Sequence, residues 1–145
     1  MVPAGPSSAP ALAALFERAD VPCHCRYWHF PGDDRAWLAR CALEPEQNRA
    51  ELEESLASGR PDGRGLVALD DAGSALGWLK LVPALAAPKL VDRRPYRGLP
   101  CLSGPRDDVV MLGCLLVDPA ARRRGVARAL VTAAVASARG DGYRA

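Results

Sequence analysis

An α/β domain built on a mixed, mostly antiparallel sheet, with elements in the order β-α-α-β-β-β-α, is the fold class this chain predicts. Three observations lead to it. Val109 to Val117 is so rich in Val, Leu and Met that it reads as a strand buried in the middle of a sheet. Leu66 to Leu69 and Ser74 to Val82 flank Asp70-Asp71-Ala72-Gly73, the residue types of a hairpin connection, and so read as an antiparallel pair. Apart from one further alternating run at Cys23 to Phe30, the segments around them carry helix start and stop residues.

Composition sets the outer bounds. A chain of 145 residues suits one domain with a modest core, and 49% hydrophobic residues with only 6% aromatics make that core largely Leu, Val and Ala. Lys+Arg 19 against Asp+Glu 17 gives a net charge of +2, which argues against a general nucleic-acid binder and leaves any positive site local. Apolar runs fall short of the ~20 residues that span a bilayer. The start lacks a basic segment followed by an apolar core, so the expectation is a cytoplasmic protein with no membrane partner. Five cysteines, an odd number, predict free thiols in place of a disulfide framework.

Residues 1–20 read as a loose tail, because Met1 to Pro10 holds three prolines and two serines; Ala11 to Ala19 has the spacing for a short helix presenting Leu12, Leu15 and Phe16. The domain proper is assigned to residues 21–145. Cys23 to Phe30 alternates and is rich in aromatics, the pattern of a first strand ended by Pro31 and Gly32. Cys23, His24, Cys25 and His29 are all possible metal ligands. In an extended chain, however, His24 lies across the sheet from Cys23 and Cys25, and no C-x-x-C knuckle or H-x3-H pair is present, so no metal is assigned.

Asp33 and Asp34 are N-cap residues for a helix whose Trp37, Leu38 and Cys41 form one buried stripe. Pro45 to Ser58 follows as a largely charged surface helix anchored by Leu52 and Leu56 and stopped at Gly59. Gly63-x-Gly65-x-x-Ala68 matches a dinucleotide fingerprint only superficially, since its glycines precede a strand instead of opening a helix; they read as a turn. Pro83 to Asp108 is a long link with five prolines and a basic patch of Lys89, Arg93, Arg94 and Arg97, read either as a recognition segment for an acidic acceptor or as a solvated insertion.

The strand from Val109 ends at Asp118-Pro119, and after it comes Arg122-Arg123-Arg124-Gly125-Val126-Ala127 at the mouth of an Ala-rich helix. The first amides of a helix have no intrahelical acceptor and sit at the positive end of its dipole. Small residues at 125 and 127 let a pyrophosphate lie on the backbone there, with the arginines as counter-charge. Neither a Walker loop nor G-x-G-x-x-G is present, so the anion belongs to another kind of ligand.

In this stretch the sequence resembles the GNAT N-acetyltransferase superfamily, whose signature [Q/R]-x-x-G-x-[G/A] after a V-x-P strand end stands here as Arg122-x-x-Gly125-x-Ala127 after Val117-Asp118-Pro119. The resemblance implies N-acetyl transfer from acetyl-CoA to an amine. It places the pyrophosphate on Arg122, Arg123, Arg124, Gly125, Val126 and Ala127, and the pantetheine arm along Leu115, Leu116 and Val117. It also implies that the first two helices wall the acceptor site, making Asp33, Trp37, Gln47 and Asn48 candidates for substrate contact, with capping and solvation as the plain alternative. A C-x-C strand followed by N-R-x-E-L, here Asn48 to Leu52, resembles bacterial members and fits a packing or wall role.

An amide near Gly113 and Cys114 is placed to polarise the thioester. No general base is identifiable, and Cys114 in an apolar strand lacks the electropositive, exposed setting of a nucleophilic thiol, so catalytic residues stay unassigned. The resembled fold continues with β-α-β-β elements beyond the helix, so the chain is expected to be an incomplete GNAT-like domain with a strand edge exposed for self-association and with doubtful turnover. Two other readings stay open: a CoA-binding or interaction module without activity, and a Cys/His metal or redox module.

Overall fold

The computed structural model describes residues 1–100 and 104–143. Its centre is an antiparallel sheet of four strands, β1 (Val2–Pro3), β2 (Gly65–Leu69), β3 (Ala75–Pro83) and β4 (Val110–Val117), in the order β1-β2-β3-β4. The β2–β3 turn forms because the Asp70 carboxylate accepts the amides of Ala72 (3.0 Å) and Ser74 (2.8 Å), while Gly73 takes the left-handed φ of +82° that the reversal requires.

Helices cover both faces of the sheet. Leu12, Leu15 and Phe16 of α1 (Ala9–Arg18) pack with Leu52 and Leu56 of α3 (Pro45–Ala57) on the side of Val67 and Trp78. On the other face Leu130 and Ala134 of α6 (Val126–Gly140) meet Leu66, Ala68, Leu79 and Leu81. The alternation along β2 and β3 assigns each residue to its layer.

The sequence places Val109 to Val117 mid-sheet, but the central strand is β3, with Trp78, Leu79, Lys80 and Val82 all 0% exposed. Strand β4 pairs only with β3 among the described residues, and its Leu112 and Leu115 are exposed. Both strands are apolar runs, and composition alone does not separate a central strand from an edge.

The start of the chain is also different from a loose tail. Val2 pairs with Val67 and Pro3 with Leu66, the Ala4 amide donates to Gly65 O (2.9 Å), and Ser8 is buried where it closes a turn with Gly5. Low apolar content over ten residues hides two well-placed anchors. The short helix read over Ala11 to Ala19 is present as α1, with its three apolar residues in the core.

Cys23 to Phe30 is not a strand. His24 and Cys25 have φ of +42° and +55°, the Arg26 amide closes a turn on Cys23 O (2.9 Å), and Tyr27–His29 forms a 3-10 turn, so the first strand of the sheet is Val2–Pro3. The cause is long-range. The buried Arg26 guanidinium ion-pairs with Asp62 (2.7 Å) and Glu51 (3.2 Å), and the Lys80 ammonium donates to Cys25 O (2.9 Å), so this backbone is satisfied by side chains in place of a ladder.

Helix α2 (Asp34–Leu43) starts at Asp33, whose carboxylate accepts the Ala36 amide at 2.8 Å. Trp37 is buried, but Leu38 faces solvent and Cys41 is only half-buried, so the expected stripe narrows to one ring. The link after β3 is packed: α4 (Pro88–Val91) buries Leu90 and Val91, and α5 (Arg94–Arg97) follows at once. Among the described residues no helix is long and apolar enough to cross a membrane.

Candidate functional site

The predicted anion loop lies where β4 hands over to α6. The Asp118 carboxylate accepts the Ala120 amide (2.9 Å), opening a 3-10 turn over Pro119–Ala121, and pairs with Arg18 Nε (2.7 Å), which holds its carboxyl below the usual range. The Arg18 guanidinium also donates to Ala75 O (2.8 Å), so α1, β3 and the loop are tied at one corner.

From there Arg122, Arg123 and Arg124 are all exposed, with Arg123 at φ +62° and Gly125 at φ +82°. Gly125 is the N-cap of α6, and its carbonyl accepts the Ala129 amide (3.0 Å), the first rung of the helix. The amides of Val126, Ala127 and Arg128 precede that rung and so have no intrahelical acceptor. A Cβ built on Gly125 meets nothing within 4 Å, so the space in front of these amides is open. The helix is pressed onto the sheet at Gly77, where a Cβ would come within 2.9 Å of both Val126 Cγ1 and Leu130 Cδ1.

Strand β4 carries an irregularity that the sequence locates only as a region. Lys80 pairs with Cys114 but the next residue, Leu81, pairs with Leu112, so Gly113 is an extra residue in a β-bulge. The Gly113 carbonyl accepts the Trp28 indole N–H at 2.6 Å. Leu115, Leu116 and Val117 continue the strand to the loop, so the backbone from the bulge to Ala127 is one path along the edge of the sheet.

Behind the bulge lies a buried polar cluster. Lys80 is fully buried, and burial together with the Arg26 charge pulls its ammonium down to about 7. Burial, then Lys80 and Arg26, bring the His29 imidazole down to about 4. Burial pushes the Asp62 carboxyl up, but hydrogen bonds from Arg26 and Ser55 outweigh it and bring it to about 2.

The side chains put forward as metal ligands diverge. His24 stacks on Phe16 (4.7 Å between centroids), His29 turns toward α4, and Cys25 is bonded to Cys114. Among the described residues no group of three or more His, Cys, Asp and Glu side chains gathers for an ion.

The Cys25–Cys114 disulfide corrects the expectation that every thiol is free. Its Cα atoms are 6.2 Å apart and its residues 89 apart in sequence. The odd cysteine count excludes full pairing but not a single bridge, and the turn at His24 and Cys25 swings the sulfur onto β4. Cys23 and Cys41 remain thiols, and Cys101 lies outside the described residues. Alkylation of denatured, unreduced protein followed by peptide mass spectrometry should leave Cys25 and Cys114 unlabelled while Cys23 and Cys41 react. Labelling of Cys25 and Cys114 at the same level as the other two would show that the bridge does not form.

Of the expected acceptor contacts, Asp33 is spent on its cap and Trp37 packs edge-on against Tyr27 and Phe30 (5.5 and 5.2 Å). Gln47 bonds Glu44, and Asn48 is fully buried, donating to Pro22 O at 3.0 Å. A separate cluster of Tyr27, Trp28 and Phe30 with Lys89 and Arg93 joins segments some 60 residues apart that local spacing does not reveal.

None of the curated proteins compared with the chain gives a significant match. The model of the acetyltransferase (GNAT) family matches residues 25–145, a span that takes in the bulged strand, the arginine turn and α6. The chain belongs to the GNAT acetyltransferase family.

Proposed function

We propose that the chain is an N-acetyltransferase that takes acetyl-CoA as donor and a primary amine as acceptor. The observation that carries this is the turn from Arg122 to Ala127 at the N-terminus of α6, reached directly from the bulged edge strand, in a chain of this family. Exposed arginines, an open glycine N-cap and unpaired helix amides are the groups a pyrophosphate needs. The outer edge of Leu115 to Val117 offers backbone groups to the pantetheine amides. At Gly113 the ladder is interrupted, and with the Gly113 carbonyl held by Trp28 the polarity left for the thioester carbonyl is that of the bulge amide.

The protein's share of the chemistry is then positioning and polarisation. The loop and strand fix the donor, the ring wall beside Gly113 confines the amine, and bulge amides stabilise charge developing on the carbonyl oxygen. The amine nitrogen bonds to the carbonyl carbon as the C–S bond breaks, and the proton shed by nitrogen ends on the CoA sulfur.

The test pairs calorimetric titration with acetyl-CoA, at low and high salt, with an assay of CoA thiol release over a panel of primary amines. The proposal expects saturable binding weakened by salt, and release that depends on the amine. No binding at low salt would overturn the donor site, and binding without release for any amine would overturn the transfer activity.

A further inference from the structure

Acetyl transfer requires an acceptor amine to reach the strand at Gly113, and the site assigned to that amine rests on the transferase reading. Between the turn at Tyr27–His29 and α4 lies an open cavity of about 460 Å³ whose walls include Trp28, His29, Phe30, Gly32 and Lys89. None of the described residues lining it is acidic.

Two cations stand beside it, Lys89 as a lining residue and Arg93 over the ring of Trp28. The Lys89 ammonium donates to Gly32 O (3.0 Å) and Phe30 O (3.4 Å), and sits 4.3 Å from the Tyr27 ring centroid and 5.5 Å from that of Phe30. Two carbonyls use two of its three N–H groups and neutralise none of its charge. The Arg93 guanidinium lies over Tyr27 (5.0 Å) and Trp28 (5.4 Å). Its carboxylate partner Asp34 is 3.5 Å away, 73% exposed, and already holds the Tyr27 hydroxyl at 2.5 Å. Such a pair is screened by water and worth little energy, so another carboxylate can compete with Asp34 for the guanidinium.

The remaining polar group on the wall adds no charge. Burial, Lys80 and Arg26 hold the His29 ring neutral above about pH 4, and its Nε2 is buried without a hydrogen-bond partner among the described residues. Trp28 spans from this cavity to Gly113, where its indole N–H meets the bulge carbonyl. The cavity therefore adjoins the point of the strand where the thioester would be attacked.

We propose that this cavity is the acceptor site and that it takes a primary amine bearing a carboxylate, the carboxylate held by Lys89 with Arg93 behind it and the carbon body laid against Trp28. An ammonium alone would meet like charge at the rim, whereas a carboxylate supplies the counter-ion that Lys89 lacks and accepts its third N–H. The acceptor gives one proton to solvent to become the free amine, its nitrogen gains the acetyl carbon, and the CoA sulfur leaves with the second proton.

The experiment compares phenylalanine with phenylalaninol, which keeps the ring and amine but lacks the carboxylate, by kcat/KM for CoA thiol release at saturating acetyl-CoA. A calorimetric titration of each compound without donor reads the cavity alone. The expected result is at least a tenfold preference for phenylalanine in both measurements. Lys89→Met should raise the KM for phenylalanine at least tenfold, and by more than it raises that for phenylalaninol, while Lys89→Arg keeps most of the preference. Equal kcat/KM for the two compounds, or improved use of phenylalaninol by Lys89→Met, would overturn the assignment even if transfer is robust. Preferential binding of phenylalanine without release of CoA supports the cavity and refutes the transferase reading, so the two fail separately.

Discussion

Replacing Gly125 with glutamate should weaken acetyl-CoA binding at least 100-fold, measured by calorimetry at low salt. Three effects act together at this position. A φ of +82° disfavours any residue with a Cβ, by about 1–2 kcal/mol. The new side chain enters the open space in front of the helix amides, where a Cβ now meets nothing within 4 Å. Its carboxylate also brings negative charge to the dipole end proposed to hold pyrophosphate, so ligand and side chain compete for one field. A hundredfold loss is about 2.7 kcal/mol, to be supplied by the steric and charge effects, since strain shared by the free and bound states cancels from Kd. A carboxylate at a helix start is favourable in itself and partly offsets the backbone strain, so the variant should still fold. Gly125→Ala carries the strain without the charge and should lose less. An unchanged Kd for a folded Gly125→Glu protein would remove the loop from the donor site.

Lys80→Met should stabilise the protein by roughly 2 to 4 kcal/mol at pH 7 and flatten its stability at higher pH. The lysine is fully buried, its ammonium donates to Cys25 O, and burial with the Arg26 charge brings it from 10.5 to about 7. The unfolded chain holds a proton on this side chain between about pH 7 and 10.5, where the folded chain does not. Unfolding in that window takes up a proton, so the parent's stability rises with pH until the unfolded lysine also deprotonates. At 1.36 kcal/mol for each tenfold, the displacement is worth several kcal/mol, reduced by about 1 kcal/mol for the hydrogen bond that methionine cannot make. Urea unfolding at pH 7 and pH 9 checks both parts: the parent should gain stability between the two and the variant should not. A less stable Lys80→Met protein at pH 7 would mean that the buried amine is a net support of the fold. His29 has the same sign at lower pH, its contribution being present above 6.5 and lost as pH falls toward about 4.

What could be read from the sequence was what lies close together in it. The strand, the Asp118-Pro119 stop, the arginine turn and α6 occupy one continuous stretch, and the residue types at Gly125 and Ala127 report their backbone role directly. The hairpin at Asp70 to Gly73 and the helix from Pro45 were legible for the same reason. The wall proposed for the acceptor was not. Tyr27, Trp28 and Phe30 alternate as a strand would, but their order comes from Arg26 being drawn to Asp62 and Glu51, and from Lys89 arriving on α4 to cover two of the rings. Nor does local spacing tell Cys25 that its neighbour is Cys114. The bulge lay between these cases: Gly113 marks a place where a ladder is readily interrupted, yet only the register against β3 shows the extra residue.

The contact at Gly77 makes the sheet a fulcrum for the loop proposed to hold the donor. With a hydrogen in place of a side chain there, α6 rests on the backbone of β3, and any methyl added at this point would sit 2.9 Å from carbons of Val126 and Leu130, against the 3.5–4.0 Å of ordinary contact. Where the stiff Val126 side chain cannot turn aside as Leu130 can, the first turn of α6 would ride outward by roughly 0.6–1 Å, carrying the arginine turn with it. A displacement of that size at a positioning element is enough to change a rate about 100-fold. Gly77 would therefore act as a remote height adjustment for the turn proposed to cradle pyrophosphate, setting its level without lining it.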